Sequence, residues 1–255
     1  MGAFQPWRLV YRLPALLLLL VAGLPLLLAA KLPLVRAIGL RGQPLERRVQ
    51  RLFARLMVAS LGMRFRLLGR LPQRPYLLVA NHISWFDIVL LHAAEPMWLV
   101  AKHGIRDWFG IGAVAHAVGT IFIERGSEAS RRRVSRRMAA LLRRGMVVGV
   151  FPEGGIHPDR GVKRFHARLF APATRAGVSV VPVAIRYWRD GDIHDERVFG
   201  PGSSFGGLLF SMLARPACEG QVIVGRPLSS DETGRTLLAR QAQLQVQEMY
   251  EHVER

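Results

Sequence analysis

Tyr76-Leu77-Leu78-Val79-Ala80-Asn81-His82-Ile83-Ser84-Trp85-Phe86-Asp87 is a short apolar run that ends in a base and, a few positions on, a carboxylate. The run is too short for a buried helix and shows no alternation, so it reads as a strand covered on both faces. The same pattern recurs outward from it. Further candidate strands are Met97 to Ala101, Thr120 to Ile123, Met146 to Phe151, Val178 to Ile185 and Gln221 to Val224. Helical patterns lie near 85–94, 108–117, 130–144, 165–176 and 231–253. Continuous apolar strands separated by helices of about ten to fifteen residues predict an α/β fold, a mostly parallel sheet with helices on both faces.

The residues just past the strand ends carry the chemistry. The first strand runs into Asn81-His82, the third into Glu124-Arg125 and the fourth into Pro152-Glu153-Gly154. Ligand sites of open α/β sheets gather beyond the carboxyl ends of the strands. One rim therefore receives a base, a cation and a carboxylate. Lys102 closes another strand and has two readings, an ordinary exposed lysine or a cation that steers an anionic donor.

On a continuous helix His82 and Asp87 would point about 140° apart. They meet only if His82 lies in the turn before a helix and Asp87 in its first turn. Ser84 supports that start, since Ser-x-x-Asp resembles a capping box ahead of Ile88 to Leu91. Two readings stand: Asp87 complements a helix N-terminus, or it orients a general base. In the second, a neutral imidazole takes a proton from an alcohol while the carboxylate fixes its tautomer and stabilises the imidazolium. No serine or cysteine nucleophile sits in the motif, so direct transfer is simpler than an acyl-enzyme. The other histidines (92, 103, 116, 157, 166, 194 and 252) have no paired metal spacing, so no metal site is expected.

Composition narrows the setting. Half of the residues are hydrophobic, and Lys plus Arg outnumber Asp plus Glu by 36 to 18, a formal charge of +18. Such a balance favours an anionic partner. The arginines are mostly scattered, with no aromatic-rich single-strand motif or zinc-finger spacing, so a lipid surface is read ahead of nucleic acid. The single cysteine, Cys218, excludes an internal disulfide.

Leu13 to Ala30 carries no charge. Three fates compete for it: a span, a re-entrant segment, or a signal peptide flanked by Arg8, Arg12 and Ala29-Ala30. Gly23 and Pro25 predict a kink or break. Two arginines precede the run, whereas Lys31, Arg36, Arg41, Arg47, Arg48, Arg51 and Arg55 come after it. That bias places the rest of the chain on the cytoplasmic side of an inner membrane. Residues 43–60 have an amphipathic helical pattern, read either as an interfacial helix or as one packed on the domain. The expected division is an anchor and amphipathic helix over 1–60 and a catalytic domain over 61–255.

Four blocks in order resemble the 1-acylglycerol-3-phosphate acyltransferases and their glycerolipid relatives. They are Asn81-His82-x-x-x-x-Asp87, Gly119 to Arg125, Phe151-Pro152-Glu153-Gly154 and Val180 to Ile185, within a similarity covering about 45–225. The resemblance implies that His82, supported by Asp87, deprotonates the acceptor hydroxyl. It implies that Arg125 contacts an acceptor phosphate and that Glu153 and Gly154 shape the acceptor site, with Asn81 beside them. The acceptor would be a membrane lysophospholipid. The donor would be an acyl-CoA or acyl-carrier-protein thioester, with no cofactor. Two features depart from the usual pattern. Gly155 stands where the family carries Thr or Ser after Phe-Pro-Glu-Gly. Phe165-His166-Ala167 and Ile185-Arg186-Tyr187 are similar to members that acylate lyso-ornithine lipid, which is the alternative acceptor.

Two more features bear on function. Arg131-Arg132-Arg133 and Arg136-Arg137, with Val134, Met138, Leu141 and Leu142 as an apolar stripe, predict a basic surface helix that an acidic carrier protein or anionic lipid could meet. Gly202-Ser203-Ser204-Phe205-Gly206, with Asp231 and His252 downstream, matches a hydrolase nucleophile elbow. It lacks the buried strand that such an elbow requires. A non-enzymatic membrane scaffold is the third class, and it leaves the charged strand ends unexplained.

Overall fold

The computed structural model describes residues 4–36, 38–40, 43–102, 111–124, 126–156, 161–188, 205–230 and 234–252. Helix α1 (Pro6–Ala29) comes first, then the short α2 (Pro33–Arg36) and a small antiparallel pair, β1 (Gly39–Leu40) and β2 (Gln43–Pro44). Next are α3 (Leu45–Ser60), β3 (Met63–Leu68), β4 (Leu77–Ala80), α4 (Asp87–Ala94) and β5 (Trp98–Lys102). The middle holds α5 (Ile111–Ala117), β6 (Thr120–Ile123), α6 (Glu128–Arg143) and β7 (Val148–Val150). The chain continues with α7 (Ala171–Ala176), β8 (Val180–Trp188), α8 (Phe205–Ala214), β9 (Cys218–Val224) and α9 (Arg235–Glu251).

These elements divide between two compact units. One comprises Met1–Arg66, Ile83–Pro96 and Arg186–Val222; the other comprises Leu67–His82, Met97–Ile185 and Ile223–Arg255.

The second unit holds the parallel strands, in the order β8-β4-β7-β5-β6. Leu77 pairs with both Val148 and Val180, Trp98 with Val148, and Leu99 with Thr120, every pair parallel. All four residues of β4 and all three of β7 are buried, as strands covered on both faces must be. Helix α6 starts where Ser127 Oγ accepts from Ser130 N at 3.0 Å. Its stripe of Val134, Met138, Leu141 and Leu142 is buried as the pattern predicts, leaving Arg131, Arg132, Arg133, Arg136 and Arg137 outside.

In the first unit α1 is one continuous helix of 24 residues with mean hydropathy 2.2, long and apolar enough to cross a membrane. Of the kink or break expected around Gly23 and Pro25, the break does not occur, and the helix is irregular there instead. Proline cannot donate to the carbonyl four residues back and crowds it. A π turn over Leu19–Gly23 widens the helix just before Pro25 and relieves that conflict. The outward side of α1 is bare, with Val10, Leu18, Val21 and Leu26 each more than 60 % exposed.

Arg12 is one of two charged residues in this apolar helix, with Arg8. It is buried, and its Nη1 donates to the carbonyls of Met212, Leu213 and Arg215 at 3.1, 3.1 and 2.7 Å. Gln5 N adds a bond to Ala214 O at 2.8 Å. The free carbonyls and negative dipole end of α8 are thereby capped by a cation from the N-terminal helix. Gly62, at φ 75°, backs this guanidinium so closely that a methyl group would collide with it. Gly62→Ala is therefore expected to lose about 2–4 kcal/mol, from left-handed strain plus weakened charged hydrogen bonds. Chemical unfolding of the detergent-solubilised protein measures it, and a loss below about 0.5 kcal/mol would mean that Arg12 swings aside freely.

Helix α3 serves partly as a packed helix and partly as a surface one. Phe53, Ala54 and Val58 are buried, whereas Leu52 and Leu56 are exposed. Against α4, Arg51 pairs with Glu95 at 3.0 Å and Arg55 Nε donates to Ala93 O at 3.1 Å. Gln50 Nε2 lies 3.1 Å from His92 Nδ1. Burial, with a smaller contribution from Lys31, pushes His92 down to about 4, so its imidazole is neutral at pH 7 and Nδ1 accepts from the amide.

Candidate active site

Parallel pairing of β4 with β7 sends both carboxyl ends to one rim. Asn81 stands at the end of β4. Its Nδ2 donates to Ile185 O at 2.9 Å, and its Oδ1 accepts from Ile185 N at 2.7 Å. A side-chain amide thus extends the ladder to β8 by one rung and pins the point where the backbone leaves for His82. His82 N donates to Glu153 Oε2 at 2.9 Å, and the imidazole stacks on the Phe151 ring, centroids 3.9 Å apart and planes 11° off parallel.

Glu153 is nearly fully buried, and its other oxygen accepts from Lys163 N at 3.0 Å. One carboxylate therefore ties the loops after β4 and β7 to the segment at Lys163. Gly154 comes next at φ 82°, and a Cβ there would sit 3.4 Å from the His166 ring. The loop closes on itself through Gly154 N to Phe151 O at 3.3 Å and His166 N to Pro152 O at 2.9 Å. Parallel pairing of β5 with β6 brings Lys102 and Ile123 to the same rim. Glu124 N donates to Ser130 Oγ at 3.2 Å. Arg125 lies outside the described residues.

In the other unit Asp87 opens α4 and is fully buried. Its Oδ2 accepts from Ile83 N at 2.7 Å and Ser84 N at 2.9 Å, while Oδ1 accepts from the Tyr187 hydroxyl at 2.5 Å. The bond to Ser84 is the reach-back arm expected from Ser-x-x-Asp. The reciprocal arm differs: Ser84 Oγ accepts from Phe86 N at 3.3 Å. Burial, and then the Asp87 charge, raise the Tyr187 phenol well above its ordinary range, so it stays protonated and donates. Ile83 is covalently joined to His82, so the carboxylate grips the residue next to the base.

Sequence reasoning assigned no role to Tyr187 or Phe151. Both act through pairings far apart in the chain, and only the Arg186-Tyr187 ending of β8 hinted at the first. Among the described residues no His, Cys, Asp or Glu cluster could hold a metal ion. Of the elbow-like stretch only Phe205 and Gly206 are described, at the start of α8; Asp231 lies outside the described residues, and His252 is exposed.

A parallel α/β sheet with a buried acid and a base at its carboxyl rim defines a class of transfer and hydrolytic enzymes, and likeness to known proteins narrows it. The family model described as Acyltransferase matches residues 63–186. A lyso-ornithine lipid O-acyltransferase from Pseudomonas aeruginosa is 38% identical over 200 residues, covering 78% of this chain and 77% of that protein. A 1-acyl-sn-glycerol-3-phosphate acyltransferase from Neisseria gonorrhoeae is 37% identical over 119 residues, covering 46% of this chain and 47% of its own. The crystal structure of the 1-acyl-sn-glycerophosphate acyltransferase PlsC from Thermotoga maritima aligns over 97% of this chain and 100% of that one, with TM-score 0.64 and 19% identity. The chain belongs to the acyltransferase family and is an acyltransferase.

Proposed function

We propose that this chain moves a fatty acyl group from a thioester donor to the free hydroxyl of a lysolipid, with His82 as general base and Asp87 as its support. The observation that carries the reading is the rim itself. His82 is fixed by its own backbone bond to Glu153, on neighbouring parallel strands, inside the region matched by the family. The imidazole takes the hydroxyl proton as the oxygen attacks the thioester carbon. The C–S bond then breaks, and the thiolate leaves with the proton from the imidazolium. The thioester is already activated, so no cofactor enters. Asn81 and Glu153 position the base and Gly154 shapes the acceptor site, while the roles assigned to Arg125 and Lys102 are to bind the acceptor phosphate and to attract an anionic donor. The apolar outward side of α1 associates with the inner membrane, and the basic residues after it keep the catalytic part cytoplasmic.

Lysophosphatidate is the acceptor implied by the order of the four motifs, with Arg125 on its phosphate and phosphatidate as the product. Lyso-ornithine lipid is a second reading. It is favoured by the relative aligned over the larger share of both chains and by Gly155 in place of a hydroxyl residue. Lipid extracts separate the two. In a host whose own lysophosphatidate acyltransferase is shut off and which makes lyso-ornithine lipid, supplying this chain is expected to restore phosphatidate. Restored ornithine lipid alone identifies the second acceptor. No new diacylated lipid of either kind overturns the proposal.

A further inference from the structure

The arginines of α6 do more than coat a solvated face. Between α6 and the segment leading into α7 runs a groove of about 240 Å³, lined by Arg131, Arg132, Arg168, Arg175 and Arg235. Its floor is apolar, with Val134 and Met138 buried beneath. A second depression of about 450 Å³, shared with Arg132 and lined also by Arg133 and Arg136, runs along the same helix. The acid lining both is Glu128, already paired with Arg132 at 2.7 Å.

We propose that this face docks an acidic carrier protein bearing the acyl thioester, an inference that rests on the acyl-transfer reading above and names its donor. Three observations favour a protein over other anions. First, the cations are exposed and spread over a helix of 16 residues, about 24 Å long. Charges strung along that length suit the acidic face of a folded partner better than the few convergent polar groups that fix one small molecule in a pocket. Second, an interfacial membrane helix turns its apolar side outward, whereas the apolar stripe of α6 faces the core. Within residues 120–176, Ile156 is the one large hydrophobic residue that is exposed among those described. Third, the groove adjoins the rim inside the same unit. Ile123, the last residue of β6, lines it, and Arg168 lies two residues past His166, which packs against Gly154 in the Glu153 loop. A thioester on a flexible arm would be released beside the base.

The experiment compares one acyl chain delivered by two donors, an acidic acyl-carrier protein and coenzyme A, to wild type and to the double variant Arg131→Glu/Arg168→Glu. Binding of the carrier protein is also measured directly by calorimetry, independently of turnover. The variant is expected to raise KM for the carrier donor about tenfold or more and weaken carrier binding in parallel, with kcat held and the coenzyme A donor unchanged within about twofold. Equal impairment of both donors overturns the proposal in favour of a general anion site. Unchanged carrier kinetics with weaker binding to anionic vesicles overturns it in favour of the bilayer, and no change in any arm overturns it outright. If wild type binds the carrier but transfers to no lysolipid, the acyl-transfer reading fails instead.

Discussion

Replacing His82 with alanine is expected to leave a folded, membrane-bound protein whose acyl transfer is lower by about 10²–10⁴. The reason is that the main chain around the imidazole is held independently of the ring. His82 is anchored through its main chain, whose N–H reaches Glu153 Oε2, and alanine keeps that bond. The ring is half-buried and stacks on Phe151, a contact worth about 0.5–1.5 kcal/mol beyond its area. Removing it thus weakens one face of a loop that Asn81 and Glu153 still pin from both sides. The loss should appear in kcat, with circular dichroism and membrane content unchanged, because the base acts only once the acceptor proton begins to move. Turnover above about a tenth of wild type in a correctly folded alanine variant would remove the general base from the mechanism.

The sheet was legible because strands buried on both faces read as unbroken apolar runs, and all six expected strands are present. Besides the two-residue β1 and β2, β3 went unread; it alternates Met63, Phe65 and Leu67 with Arg64 and Arg66. That is the period of a half-exposed strand, hidden in a chain where arginine is common everywhere. The hydrophobic N-terminus was legible as a helix, but its passage through Pro25 was not, since a π turn depends on backbone accommodation that no residue type announces. At the site, His82, Asp87 and Glu153 stood out as charged groups at strand ends. Their holding bonds did not. The amide of Asn81 on Ile185 and the hydroxyl of Tyr187 on Asp87 each join residues about a hundred positions apart. Ser84 was the exception, because its link to Asp87 is local and comes from spacing alone.

Asp87 decides between a structural and a chemical role, and two substitutions pull these apart. Its carboxylate accepts from Ile83 N and Ser84 N on one oxygen and from Tyr187 on the other. In Asp87→Asn the amide oxygen can keep both backbone donors while the new N–H₂ faces the Tyr187 oxygen, which then accepts instead of donating. Most of the hydrogen-bond geometry survives and the negative charge disappears. Stability should fall by about 1–3 kcal/mol, while kcat should fall by about 10²–10⁴ if, as proposed, Asp87 is the counter-charge of a developing imidazolium at His82. Tyr187→Phe does the reverse. It deletes one bond to the carboxylate in a fully buried site, costing about 1.5–3 kcal/mol of stability, but leaves the carboxylate in place and held by two main-chain donors. Its kcat should drop by no more than about tenfold, with KM for the lysolipid unchanged. Thermal unfolding and kcat measured side by side on both variants make the comparison. Were the asparagine enzyme to lose stability yet turn over normally, Asp87 would be a helix-start residue and nothing more, and the base at His82 would work without it.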